Sequence, residues 1–217
     1  MTKEVRLMRK YFTKELFGYM FGILGKPIDS FYEIRYRDKG SVPLAVLCVF
    51  ILSALFTVNR VFAGFVINEI NPRTIDGITE MGSFFLLLGL FCIGNWSVTC
   101  LMEGEGRMRD IVTVAGYAML PIALVLGPAT ILSNLLSLEE AAFYHILIGV
   151  SIAWTGILLL LGIMTVHNYT LLKTLITLVL TFITILILIF IGLLIMDLLN
   201  QIYGFFYSIY TELVFRF

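Results

Sequence analysis

Residues 174–199 read TLITLVLTFITILILIFIGLLIMDLL, and no charged side chain falls between Lys173 and Asp197. As a helix this stretch rises about 1.5 Å per residue, enough to cross a hydrocarbon core of about 30 Å with some tilt. Four more apolar stretches precede it, which places spans at 42–66, 82–102, 111–136, 143–166 and 171–199. Hydrophobic residues make up 59% of the 217 positions, charged ones 14%, and the mean hydropathy is +0.97. No soluble domain of this length buries that much apolar surface. The expected fold class is all-α: a polytopic membrane protein with a five-helix transmembrane bundle and an N-terminal amphipathic helix.

The breaks between spans are short and polar. Residues 69–80 contain NPRTIDG, 103–110 read EGEGRMRD, 137–141 read SLEEA, and 167–169 form a brief hinge. Loops this short make successive helices antiparallel neighbours. Twelve of the fifteen Lys and Arg residues fall on the side that carries residues 1–41, 103–110 and 167–173. Arg60, Arg73 and Arg216 fall on the other. Such asymmetry puts the N-terminus in the cytoplasm and, with five spans, the C-terminus outside it.

Three segments follow: a basic cytoplasmic segment at 1–41, the spans at 42–199, and an aromatic-rich extracytoplasmic tail at 200–217. On a helical wheel, Leu7, Met8, Tyr11, Phe12, Leu16 and Tyr19 share one arc, and Lys3, Arg6, Arg9, Lys10 and Lys14 another. That pattern suits either an anionic membrane surface or a partner's groove. The tail, IYGFFYSIYTELVFRF, suits either the headgroup belt or a docking face for another subunit. The first 30 residues lack a compact apolar core before a small-residue cleavage site, so no removable signal peptide is expected.

The chemistry-bearing residues are few. Asn95 lies within the second span, and Thr113, Tyr117, Thr130, Ser133 and Asn134 within the third; hydrogen bonding between helices accounts for such uncharged groups. Asp197 lies near the outer end of the last span and Arg60 near that of the first, both within reach of the interface. His145 and His167 are separated by about 33 Å along a helix and cannot share a metal ion. Cys48, Cys92 and Cys100 sit in apolar runs without C-x-x-C spacing, as buried thiols do. No phosphate loop, dinucleotide fingerprint, H-E-x-x-H or catalytic cysteine signature occurs. No enzyme and no cofactor is expected.

Two places allow sharper readings. Gly104-Glu105-Gly106 beside Arg107 and Arg109 has the makings of an anion-binding nest, but Glu103, Glu105 and Asp110 would repel a phosphate. A tight turn with Asp110 capping the third helix is the plainer expectation. In the third span, Gly116, Pro121, Gly127 and Pro128 interrupt a helix. Either neighbours pack around a kink, or a broken helix builds a transport site.

The segment EGEGRMRDIVTVAGYAMLP, residues 103–121, leads into the third span with Gly116-Tyr117 and then Leu120-Pro121. With the basic N-terminal region and five closely spaced spans, it resembles the Yip family of Ypt/Rab-interacting membrane proteins over roughly residues 25–200. The Asp-Leu-Tyr-Gly-Pro type motif of the family's trafficking members is not present, and the short N-terminal region is similar to the bacterial branch. The resemblance implies a non-enzymatic membrane adaptor in a bacterial plasma membrane. Its expected partners are membrane lipid and integral membrane proteins, with transporter permease subunits such as those of an ABC-type importer among them, and no nucleic acid. A small transporter using Asn95 and the kinked span is the alternative. A trafficking adaptor comes third, and a hydrolase built on Glu103, Glu105 and Asp110 last.

Overall fold

The computed structural model describes residues 14–68, 71 and 74–216, and every regular element among them is helical. Two short helices, α1 (Lys14–Gly22) and α2 (Pro27–Tyr36), precede the spans. The spans are α3 (Val42–Phe62), α4 (Gly77–Leu101), the pair α5 (Met108–Ala118) and α6 (Leu120–Ser133), α7 (Ala141–His167) and α8 (Leu171–Arg216). These make five passes long and apolar enough to cross a membrane. The amphipathic arcs assigned to residues 3–19 lie mostly outside the described residues.

Asp76 sets the start of α4 five residues before the expected span. Its Oδ1 accepts from the backbone N–H of Ile78 at 3.1 Å, and its Oδ2 from the Thr79 hydroxyl at 2.6 Å. A carboxylate at this position satisfies orphan donors of the first turn. The Thr79 hydroxyl holds the Asp76 carboxyl below its ordinary pKa.

The third pass is broken once. α5 ends at Ala118 and α6 begins at Leu120, with Pro121 in the first turn of α6, where a missing N–H leaves no bond unmade. Pro128 is accommodated inside α6, which continues to Ser133. Eight of the eleven residues of α5 are buried, so this half-helix is the centre of the bundle. α3, α4 and α7 pack around it, and α2 closes its N-terminal end.

α2 belongs to the core. Its Phe31 and Ile34 are fully buried among Ile111 and Val114 of α5 and Leu158, Ile163 and Val166 of α7. Part of the segment read as basic and cytoplasmic therefore inserts an apolar edge between two spans. Apolar packing of this kind holds helices together through dispersion where lipid already solvates the outside.

α8 behaves differently. It packs on α4 through the buried Thr174, Thr177 and Thr181, a stripe spaced by three and four residues, with Leu178 half-buried against the core and a smaller contact with α7, and is mostly exposed elsewhere. No residue from Phe182 to Phe215 is buried. The helix also runs through position 200 without a break, so the aromatic tail continues the span. No proline interrupts residues 171–216, and nothing else stops the helix. At about 1.5 Å per residue its 46 residues extend about 69 Å, more than twice the hydrocarbon thickness.

Candidate functional site

The ends of α2, α4, α5 and α7 meet at the N-terminal side of the bundle around residues 102–110. The Thr99 carbonyl accepts from the Gly104 N–H at 2.8 Å, and Glu103 between them adopts a left-handed φ of 58°. The Gly106 N–H donates to His167 Nδ1 at 3.2 Å, and the Tyr169 hydroxyl donates to the Met102 carbonyl at 3.0 Å. His167 and Tyr169 stack with ring centroids 5.3 Å apart, and the Lys173 ammonium lies 4.4 Å from the Tyr169 centroid. A Cβ on Gly104 would stand 2.6 Å from His167 Nδ1, and one on Gly106 2.7 Å from Val166. Both glycines are therefore required by close approach to the rings and helix beneath.

Asp110 is the charge centre. It is 2% exposed and caps α5 from the third position, its Oδ2 accepting from the backbone N–H of Arg107, the N-cap residue, at 3.4 Å. Its Oδ2 accepts from Arg35 at 3.1 Å and from Arg107 Nε at 2.9 Å. Arg35 also donates to the Glu105 carbonyl. Arg107 reaches Asp38 at 2.6 Å, and Arg109 donates to the Gly40 carbonyl at 3.0 Å. The Arg107 guanidinium holds the Asp38 carboxyl below its usual range, and the two carboxylates raise the pKa of Arg107 in turn. The cluster ties α2 and the turn after it to the start of α5, across some 70 residues of sequence.

This arrangement answers the two chemical readings of the turn. Both glycine N–H donors are taken, by Thr99 and His167, so the turn presents no empty nest for an anion. Asp110 is held by two guanidiniums, and Glu103 and Glu105 are exposed on the turn. Among the described residues no group of His, Cys, Asp and Glu has metal-binding geometry.

The other singled-out residues are dispersed. The Tyr117 hydroxyl, at 0% exposure, donates to the Ser41 carbonyl at 3.3 Å, and its neighbour Gly116 lies against Ala45 of α3. Asn95 is buried and donates to the Thr181 hydroxyl at 3.1 Å, joining α4 to α8. Asn95→Leu is expected to cost about 1 kcal/mol, the usual range for one interhelical hydrogen bond in a membrane, read from unfolding in detergent. Asp197 accepts from Gln201 on the exposed face of α8.

A second polar cluster at the opposite side was only partly legible. Asn59 donates to the Thr130 hydroxyl at 2.8 Å and to the Tyr144 hydroxyl at 2.9 Å. Arg60, expected to snorkel, instead pairs with Glu80 at 2.5 Å. His167, Arg35 and Asn59 carried no signal of their own. Only a spacing to partners 61 to 75 residues away would have revealed them, and that is a property of the folded chain.

The Gly116-Tyr117 and Leu120-Pro121 elements of the central half-helices thus have structural work at the start of α3 and at the break. Residues 21–210 match the Yip1 domain, which covers most of the chain. The chain belongs to the Yip family. No curated protein and no solved structure matches it. Within the Yip1 domain lie the first four passes, the fifth as far as Tyr210, α2 and the Asp110 cluster. The family assignment is that of an integral membrane protein, and the family is generally non-catalytic.

Proposed function

We propose that this Yip family protein is a non-enzymatic accessory or scaffold subunit that binds other integral membrane proteins. The observation that carries the reading is α8, whose apolar surface is far larger than its contact with the rest of the bundle. Phe190, Leu194 and Leu198 are each more than half exposed, and so are Phe205, Phe206 and Tyr210 further along. Lipid can solvate the part within the hydrocarbon. The aromatic continuation beyond about 20 residues of span needs a second protein or the headgroup layer to cover it. Charge bias supports an N-terminus in the cytoplasm; the membrane of this proposal is a bacterial plasma membrane, and its partner a transporter permease of the ABC-importer kind.

Affinity purification from the native membrane in mild detergent tests the reading. A membrane protein at fixed stoichiometry is expected with the native chain and is lost when Phe190, Leu194 and Leu198 are changed together to Ala. Those side chains are exposed, so the triple variant keeps its fold. A lone chain or a homo-oligomer, unchanged by the triple substitution, overturns it.

A further inference from the structure

The N-terminal helices cover a two-part groove at the edge of the bundle. Its upper part is an open cleft of about 600 Å³ between α1 and the start of α2, mostly apolar in its lining but carrying Tyr19, Lys26, Asp29, Ser30 and Glu33. That volume lies in the range of small-ligand sites. Its lower part is a cavity of about 130 Å³ beneath α1, between α3 and α6, walled by Met20, Leu44, Ile51, Leu120 and Ala123 with no charged side chain. Phe21 lines both parts. The cleft shares Phe21 with that cavity, whose wall begins at Leu44 in the first turn of α3, the end of the span a headgroup would reach. The apolar cavity follows α3 from Leu44 to Ile51, about 10 Å along the helix.

The charges in the cleft select the occupant. Glu33 on its wall is engaged by Arg37 at 2.9 Å and by Lys39 at 2.9 Å, and Lys39 also meets the Tyr19 hydroxyl. Lys26 and Asp29 are exposed and take part in no ion pair among the described residues. One ammonium and one carboxylate are thus available, a match for a phosphate and an amine carried on one headgroup. We propose that this groove holds a bilayer phospholipid of the ethanolamine type, its phosphate at Lys26, its ammonium at Asp29 and an acyl chain in the cavity beneath α1. A purely anionic headgroup would face Asp29 unpaired.

The space is open for testing. A Cβ at Gly18 meets nothing within 4 Å, so a photoreactive side chain fits there without disturbing α1. The full chain is reconstituted in vesicles of equal phosphatidylethanolamine and phosphatidylglycerol, and retained lipid is counted by native mass spectrometry. The expected result is one phosphatidylethanolamine per chain and a phospholipid adduct from position 18. Lys26→Gln with Asp29→Asn should lower that retention about tenfold, the scale of a lost charged contact, with the melting temperature unchanged. Ala123→Phe, which fills the cavity, should do the same. Retention that merely follows vesicle composition in native and variant chains alike overturns the proposal. So does an adduct from position 18 to residues 1–13 of the chain or to a second copy.

Discussion

Asp110→Ala is expected to destabilise the protein by about 3 kcal/mol, more than the loss of any other single charge. Asp110 is 2% exposed and accepts from two guanidiniums, and the Arg35 side chain that it neutralises is itself only 15% exposed. Removing the carboxylate leaves a cation in a site from which water is largely excluded, and such a cation costs more than the pair contributes. A double-mutant cycle with Arg35→Met separates the two effects, because Arg35→Met removes the stranded charge. The double variant should recover much of the loss, as read from thermal unfolding in detergent. A loss under about 0.5 kcal/mol for Asp110→Ala would place the pair among ordinary surface ion pairs and contradict the account.

Gly116→Leu should be still more damaging, because no side-chain rotation relieves it. An added Cβ stands 2.7 Å from the Ala45 Cβ and 2.7 Å from the Ala45 carbonyl oxygen, so the central half-helix and α3 must move apart. Even Gly116→Ala should cost about 2 kcal/mol, in the range of overpacked cores. Gly127, eleven residues on in the same pass, supplies the control: its added Cβ meets only Leu55 Cδ2 at 3.6 Å, an ordinary contact. Gly127→Ala should therefore leave the unfolding midpoint within the error of the native chain. Equal effects at the two glycines would show that helix flexibility, and not the approach of α3, explains them.

Hydropathy reads length and solvent well, which is why the five passes and the break near Pro121 are visible in the residues alone. It reads partners poorly. α2 has too mixed a composition to announce itself as core, yet Phe31 and Ile34 are fully buried because α5 and α7 present a cleft for them. Asp110 reads as a cap and does accept the Arg107 backbone N–H, but its ion pairs are not legible in the sequence. Its long-range partner Arg35, like the Asp38 that pairs with Arg107, comes from a segment about 70 residues earlier. The continuation of α8 past Asn200 was obscured by its aromatic residues, which read equally as a headgroup belt. A helix continues where nothing stops it, and the residues after Asp197 contain no proline.

The most direct test of the docking role is photocrosslinking in the native membrane from single positions along α8. Thr181, buried against α4, serves as the internal reference, with Leu194 and Phe206 as exposed probes. The account predicts adducts from Leu194 and Phe206 to one and the same integral membrane protein, and from Thr181 only within the chain. Adducts to lipid alone from both exposed positions would contradict it.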